Sequence, residues 1–449
     1  MDITKFISSQ AIQTNQVQIM LYDSQNPNHF RQWWNLRDEL NAIERESQRE
    51  LDKEYPSSAH FSLNDFSLRS LSYFRSFLIV SYVFTLGKKH IAYLALFSLE
   101  RYYYRGAPGV GAFGYLERTP KLYRNKGLSV IFPSVIKSLP HIFLELDGQA
   151  LDFVGVRGLV HVSNSKSLTR FLSDSAQAKY APLHFYPYHT NVLYPAISQI
   201  DHCSAASPLI HIEHNHVLQL VDQVLGHQDF VPSNFESELL SHPCHLGVFS
   251  FTFPSSSSSS PSSSSLSFNL KLTCFVWMLD HITVHLDGAT RLGAILLHNI
   301  WIFDQSSTNI KPISLRQLPA PQLCRSALSD LCSNFLDAVR VSFGHTDIVM
   351  DLNDIHHHQL LSLLLQPPPS HPQVQPLGFS REIGALRFSP TVPPIAPATL
   401  VESNHCWFDP RHLSSLCYFE SPECFSKKFS SDFSNQLNIT TNQTLSSKL

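Results

Sequence analysis

In the N-terminal part of the chain, the spacing of apolar residues alternates between segments typical of strands and segments typical of helices. Val17–Asp23 alternates apolar and polar side chains, which predicts a half-buried strand. Two apolar arms, Phe77–Leu86 and His90–Leu99, flank Gly87-Lys88-Lys89 and predict a buried β-hairpin. Between these strands, Phe30–Tyr55 predicts helical structure, because its apolar residues form a stripe at helical spacing: Trp33, Leu36, Leu40 and Ile43.

The remaining N-terminal pattern completes the order β-α-β-β-β-α-β-α-β. A glycine cluster over Gly106–Gly114 leads into a strand near Phe113–Thr119, and a helix follows over Val130–Leu139. The last elements are a strand at Arg157–Ser163, a helix at Asn164–Lys179 and a strand at Leu183–Tyr188. This order predicts an α/β or α+β protein with a mixed, mostly antiparallel sheet flanked by helices.

A second run of elements follows a low-complexity tract, Ser255–Ser265, which cannot bury a core and predicts a flexible linker. Its order is similar to that of the first run, which suggests a second, related domain without visible sequence identity. The predicted elements are strands at Asn269–Leu279, His281–Leu286, Ala294–Phe303 and Asp347–Leu352, and helices at Gln322–Val341 and His356–Leu365, before Pro-rich Gln366–Pro376.

The chain of 449 residues is too long for one ordinary core. We expect four segments: a first domain over 1–200, a connecting segment with the linker over 201–265, a second domain over 266–400, and a C-terminal segment with a disordered tail over 401–449.

Charge and cysteine usage exclude several classes of protein. Charged residues make up 15% of the chain and the net charge is −3, so neither nucleic-acid nor anionic-membrane binding is expected. The apolar Phe77–Leu99 segment is broken by lysines, which argues against a membrane span. Eight scattered cysteines without a CxxC pair fit reduced thiols, and the first residues lack a signal-peptide pattern, so a cytoplasmic location is expected.

Tyr123–Ser129 has the features of a phosphate-binding loop. An anion is held at a helix start by N–H groups that have no acceptor within the helix. A glycine allows close approach of the backbone, and basic side chains add charge. Here Arg124 and Lys126 precede Gly127, and the chain then enters a predicted helix.

The six residues of this loop resemble the Arg/Gln-x-x-Gly-x-Gly/Ala motif of the GNAT superfamily of acyl-CoA-dependent acyltransferases. The resemblance covers about Val17–Tyr188 and includes the hairpin and the element order. It implies that the loop holds the pyrophosphate of acetyl-CoA or another acyl-CoA, that Asn164 contacts the same co-substrate, and that a small-molecule or protein amine accepts the acyl group. The residues implied for the loop are Arg124, Asn125, Lys126, Gly127, Leu128 and Ser129.

The acceptor is expected between the two halves or beside the glycine cluster. Glu117, on the strand before the loop, is the candidate general base, and an ion pair with Arg118 or Arg124 is its alternative role. Phe171 stands where the family often has a proton-donating tyrosine, and Pro133, inside the helix after the loop, is expected to cost it a hydrogen bond and to kink it. These departures leave open a catalytically inactive GNAT-like scaffold that binds a ligand or another protein. Oligomeric state is not predicted.

Other clusters of reactive side chains match no defined site. His211–His216 is rich in metal-ligand types but lacks a zinc-binding spacing, and His356–His358 fits a solvated helix start. The Cys/His residues near the C-terminus also lack such spacing, and no GxSxG elbow occurs. No metal is therefore expected.

Overall fold

Strands dominate the computed structural model of the chain. It describes residues 1–7, 17–54, 59–63, 75–104, 107–148, 151, 153–161, 183–195, 208–225, 230–233, 235–242, 244–252, 270–286, 289–304, 325–343, 346–353 and 375–387. The strands within these ranges are β1 (Val17–Asp23), β2 (Ala59–Leu63), β3 (Arg75–Thr85), β4 (Lys88–Tyr104), β5 (Ala107–Arg118), β6 (Phe153–His161), β7 (Leu183–Tyr194), β8 (Ile210–His211), β9 (Phe230–Pro232), β10 (His245–Thr252), β11 (Leu270–Leu286), β12 (Ala289–Asp304), β13 (Ile348–Asn353) and β14 (Gln375–Arg387). The α-helices are α1 (Pro27–Glu54), α2 (Ile131–Asp147), α3 (His214–Leu225) and α4 (Arg325–Phe343).

The described strands form one sheet, and its two halves have the same pattern of antiparallel and parallel neighbours. The strand order is β1-β3-β4-β5-β6-β14-β7-β13-β12-β11-β10-β8, with β2 beside β11 and β9 beside β4. Along this path, β5 pairs with β6 and β12 pairs with β13 in parallel, and the other neighbours are antiparallel. The mixed, mostly antiparallel sheet expected from the sequence is confirmed, and the second run of elements repeats the topology of the first.

The two repeats exchange strands at the centre of the sheet. β14, the last described strand, lies between β6 and β7, and β7 lies between β14 and β13. Within residues 208–252, β10 pairs with β11 and β8 pairs with β10. These strands were expected to lie in the connecting segment, but their pairing makes them part of the second repeat. The four-segment division of the chain stays a prediction.

Helices pack on both faces of the first repeat. Asn26 caps α1, since its Oδ1 accepts the N–H groups of Asn28 and His29. The predicted stripe of α1 is buried through Trp33 and Leu40 against one face of β3 and β4. The opposite face carries the core against α2, which includes Phe77, Phe97, Ala112, Ile131, Val135, Leu139 and Ile142.

Pro133, expected to cost the helix after the loop a hydrogen bond, does not do so. α2 begins at Ile131, so Pro133 lies in its first turn, where an N–H group would have no acceptor within the helix. Pro140 is the proline inside the helix. The helix ends at Gly148, whose left-handed backbone (φ +68°) lets its N–H donate to the carbonyl of Leu144 at 3.0 Å.

Long strands replace some shorter predicted elements in the second repeat. The two strands predicted around Asp280 are one strand, β11, whose register with β12 shifts between Leu279 and Thr283. β14 begins at Gln375, within the segment read as Pro-rich connection. The predicted helices 164–179 and 356–365 lie outside the described residues. Among the helices that are described, none is both long and apolar enough to cross a membrane.

Arg75 ties three elements of the first repeat together. Its guanidinium donates to both carboxylate oxygens of Asp23 on β1 and to Asp147 at the end of α2. The Asp23 side chain is 3% exposed. Arg75 also lies over the ring of Phe143, 4.7 Å from its centroid. A buried carboxylate is tolerated when it is paired in this way, so the position of β1 at the sheet edge depends on Arg75.

We expect Arg75→Met to destabilise the protein by about 3 kcal/mol, because Asp23 would become a buried charge without its cation. Lys5→Met is the matched control, since it removes an exposed pair with Glu145 whose contribution is expected to be below about 1 kcal/mol. Denaturant unfolding of the full chain measures both changes. Equal effects of the two substitutions would contradict the role assigned to Arg75.

His245 is a buried titratable group at the start of β10. Its ring lies 4.8 Å from that of Trp277, centroid to centroid. Nδ1 lies 3.0 Å from the carbonyl of Leu240, so this nitrogen donates, and Nε2 is buried without a hydrogen-bond partner. Burial lowers the pKa of His245 to about 4. His211 and His214 lower it further, while the backbone bond to Leu240 opposes the shift.

This lowered pKa predicts acid sensitivity. Between pH 6.5 and 4 the unfolded chain binds a proton at His245 that the folded chain does not, so stability falls as pH falls, by roughly 3 kcal/mol in total. His245→Asn keeps an N–H donor near the position of Nδ1 but does not titrate, and it should flatten this part of the stability profile. His141→Asn, at an exposed histidine of α2 that does not contribute to the shift, is the matched control. Identical slopes in all three proteins would remove His245 as the cause.

Candidate functional site

The parallel strands β5 and β6 separate before either strand ends. Their pairing runs from Val110↔Phe153 to Gly114↔Gly158. Beyond these glycines, β5 continues to Arg118 beside β4, and β6 continues to His161 beside β14. Residues 115–118 of β5 and 159–161 of β6 are therefore not paired with each other, and we call this unpaired stretch between the two strands the β5–β6 opening. Ligands of sheets with parallel strands bind outside the carboxyl ends of those strands, where this opening lies.

A β-bulge lies at the start of the opening. Leu96 pairs with Leu116, whereas Phe97 pairs with Gly114, so Tyr115 is an extra residue on β5. The extra residue of a bulge is left out of the regular ladder. Backbone polar groups at Tyr115 are thereby available beside the opening. Such groups can polarise the carbonyl of a bound acyl compound.

The Arg124–Ser129 loop connects β5 with α2 by two sharp changes of direction. Asn125 and Gly127 have left-handed backbone, with φ values of +62° and +74°. Asparagine and glycine are the residues that adopt this conformation at least cost. Leu128 is 2% exposed and anchors the loop in the core against α2. The loop therefore has a defined shape, with Asn125–Gly127 exposed between fixed ends.

The helical segment after the loop begins without an acidic side chain that would compete with a bound phosphate. A single 3-10 turn, Leu128–Val130, precedes α2, and Val130 donates to the carbonyl of Gly127 at 3.5 Å. Within the described residues, no side chain caps this turn or α2, and neither has an acidic residue in its first turn. The backbone N–H groups and the positive end of the helix dipole thus face a position suited to a phosphate.

Three exposed basic residues precede this helix start in the chain: Lys121, Arg124 and Lys126. Arg124 is held on both sides, because its Nε donates to the carbonyl of Thr119 at 3.2 Å and its Nη2 to Glu50 of α1. A phosphate would therefore compete with Glu50 for Arg124. The basic charge and the backbone geometry together fit a pyrophosphate.

Glu117 lies on the part of β5 that borders the opening and is partly exposed. The two arginines proposed as its alternative partners have other carboxylates: Arg118 forms a fork with Glu44, with distances of 2.8 and 3.1 Å, and Arg124 pairs with Glu50. The Arg118 guanidinium also donates to the backbone carbonyl of Glu117 at 3.1 Å. Glu117 is thus placed beside the opening, with α1 supplying the counter-charges of its basic neighbours.

Several residues singled out in the sequence lie outside the described residues: Asn164, Phe171, Gly106, His356–His358 and the C-terminal Cys/His residues. Their roles stay predictions. The His211–His216 segment is not one strand, because β8 ends at His211 and α3 begins at His214. A search of the described residues finds no group of three or more His, Cys, Asp or Glu side chains that could hold a metal ion.

The opening itself was missed by the sequence interpretation, although a signal for it exists. Gly111 and Gly114 on β5 have the same spacing as Gly155 and Gly158 on β6, and each glycine of one strand pairs with its counterpart on the other. Glycine inside a strand often marks close approach of a ligand or another backbone. Two glycine pairs in register would have pointed to this part of the sheet.

No protein-family model matches the chain, and no curated protein matches it. Three-dimensional comparison finds Saccharomyces cerevisiae N-myristoyltransferase with bound myristoyl-CoA, at 10% identity and TM-score 0.39, over 83% of this chain and 79% of that chain. A tandem GNAT protein from the clavulanic acid biosynthesis pathway has 8% identity and TM-score 0.36, over 82% and 97% of the two chains.

A GCN5-related N-acetyltransferase from Anabaena variabilis also matches, at 10% identity and TM-score 0.32, over 81% of this chain and 72% of that chain. At this level of similarity, the ligands and activities of these proteins are not assigned to this chain. They do include proteins of the GNAT superfamily, the family that the Arg124–Ser129 loop resembles.

Proposed function

We propose that the chain is an acyl-CoA-dependent N-acyltransferase that transfers an acetyl group to an amine. The observation that carries the proposal is the basic, uncapped helix start at Gly127–Ile131, which follows in the chain after β5, one of the two strands of the β5–β6 opening. A basic, uncapped helix start supports binding of the pyrophosphate, and the opening supports entry of the thioester arm between the strands.

The residues at the opening suit acyl transfer. The amine nitrogen attacks the thioester carbonyl carbon, a C–N bond forms, the C–S bond breaks, and the sulfur leaves with the bonding electrons. Backbone N–H groups at the Tyr115 bulge would stabilise the negative charge on the carbonyl oxygen. Glu117 would accept the proton that the amine loses, directly or through a water molecule. The amine acceptor would approach from the side of the glycine cluster.

The acyl group is proposed to be short because large side chains border the base of the opening. Phe97 and Phe113, 0% and 2% exposed, flank Gly114 where the strands are still paired. An acetyl group needs little space beyond the glycines, whereas a long chain would have to displace these rings. Comparing acetyl-CoA with longer acyl-CoA compounds tests this part separately.

An inactive scaffold is the second candidate. Phe171, at the position where a tyrosine often protonates the leaving thiolate, favours it because phenylalanine has no proton to donate. This candidate predicts that the chain binds acyl-CoA without releasing CoA in the presence of amines. Catalysis and binding must therefore be measured separately.

Calorimetric titration of acetyl-CoA and free CoA into the full chain tests the binding site. We expect both ligands to bind, and Gly127→Glu to weaken binding at least ~50-fold, since a side chain at φ +74° is strained and a carboxylate repels phosphate. The matched control is Gly87→Glu, at φ +76° in a hairpin turn with no atom within 4 Å of an added Cβ.

Loss of binding in both variants would attribute the effect to strain or charge in general rather than to the loop. Full binding in Gly127→Glu would place the ligand elsewhere. A folded wild-type chain that binds neither ligand would reject the proposed function.

Thiol release from acetyl-CoA, measured over a panel of small amines and peptides with free N-termini, tests the role of Glu117. Once this panel identifies an amine acceptor, Glu117→Gln should lower kcat with that amine about 10²-fold or more, because the amide cannot accept the proton. Binding of acetyl-CoA should be unchanged. Glu44→Gln changes the partner of Arg118 instead and should retain most of the rate. A normal rate in Glu117→Gln would remove the general-base assignment.

A further inference from the structure

The second repeat contains the counterpart of the β5–β6 opening. Its parallel strands β12 and β13 pair from Ile295↔Ile348 to Leu297↔Met350, and both strands continue beyond this point, to Asp304 and Asn353. The last paired residues of the two repeats correspond by position in the sheet. Gly114 and Gly158 in the first repeat thus match Leu297 and Met350 in the second.

The counterparts of the two glycines are large buried side chains. Leu297 and Met350 are both 0% exposed and belong to the core cluster that packs against α4. In the first repeat, the paired glycines Gly114 and Gly158 place no side chain on the corresponding face of the sheet. In the second repeat, the face toward α4 is filled.

The other face is closed by a polar contact between the strands. His298 and Asp351 follow Leu297 and Met350 and alternate to the opposite face. Nδ1 of His298 lies 2.8 Å from Oδ2 of Asp351, and the side chains are 0% and 2% exposed. Since a carboxylate only accepts, Nδ1–H is the donor. The first-repeat positions are Tyr115 and Leu159, and leucine cannot form such a bond.

We propose that the His298–Asp351 pair holds β12 and β13 together where the corresponding strands of the first repeat separate. The pair and the two side chains beneath it exclude a thioester arm from the second repeat. The chain therefore takes one acyl-CoA, at the first repeat. The identity of that ligand rests on the proposed function, whereas closure of the second repeat rests on the contacts of these four residues.

Amide hydrogen exchange of the full chain, read by mass spectrometry, tests the closure directly. Asp351→Ala should raise exchange at least tenfold in peptides covering 289–304 and 346–353, and much less in 245–252 and in α4. General destabilisation would raise exchange across the whole repeat. His298→Asn, which keeps an N–H donor near the position of Nδ1, should exchange more slowly than His298→Ala. Asp330→Ala, at an exposed aspartate of α4, is the matched control.

Calorimetry with acetyl-CoA gives the second readout. One binding site per chain, lost in Gly127→Glu, supports the proposal. Two sites per chain, or a site that survives Gly127→Glu and protects 346–353 from exchange, would overturn it. Unchanged exchange in both Asp351→Ala and His298→Ala would also overturn it. If the wild-type chain binds no acetyl-CoA, the proposed function fails. The exchange experiment then tests by itself whether the His298–Asp351 pair holds β12 and β13 together. If Asp351→Ala does not fold, the comparison of His298→Asn with wild type replaces it.

Discussion

The exchange of strands at the centre of the sheet is the constraint on which the two-repeat arrangement depends. β6 and β13 are the inner strands of the two parallel pairs, and each would present an open edge of N–H and C=O groups if its repeat stood alone. β14 covers the edge of β6, β7 covers that of β13, and the two covering strands pair with each other. Each repeat thus needs the last strand of the other, and the two parallel strand pairs are held in a single sheet.

This dependence also explains how the β5–β6 opening is positioned. A strand that leaves its parallel neighbour must have another partner, or its backbone groups would lose hydrogen bonds in a buried environment. Beyond Gly158, β6 is paired with β14, and beyond Gly114, β5 is paired with β4. The β5–β6 opening is therefore built from strands that are each supported on their outer side.

Local patterns predicted the parts of the fold whose partners lie nearby in sequence. The hairpin around Gly87 and the stripe of α1 were correct, because strong apolar periodicity and a short turn determine them. The Arg124–Ser129 loop was singled out for a similar reason, since its glycine, its charges and the following helix are consecutive, and its phosphate-binding role stays a prediction. Its left-handed backbone at Gly127 agrees with that interpretation.

Long-range pairing was beyond the reach of the same reasoning. β14 contains Pro376 and pairs with strands some two hundred residues earlier, so neither its composition nor its neighbours in sequence indicate a central strand. Pro376 is tolerated because the β7–β14 register shifts between it and Ser380. The Tyr115 bulge likewise depends on the register between β4 and β5, which no single strand specifies.

The two repeats show how one topology can yield an open and a closed site. Backbone pairing stops at the same place in both, so the topology alone does not decide whether a ligand can enter. The decision rests on side chains: two glycines leave the first position empty, whereas Leu297 and Met350 fill the second and the His298–Asp351 pair ties its strands. The strand β7, which pairs with β13, therefore borders the repeat whose parallel strands are joined by a buried histidine–carboxylate contact.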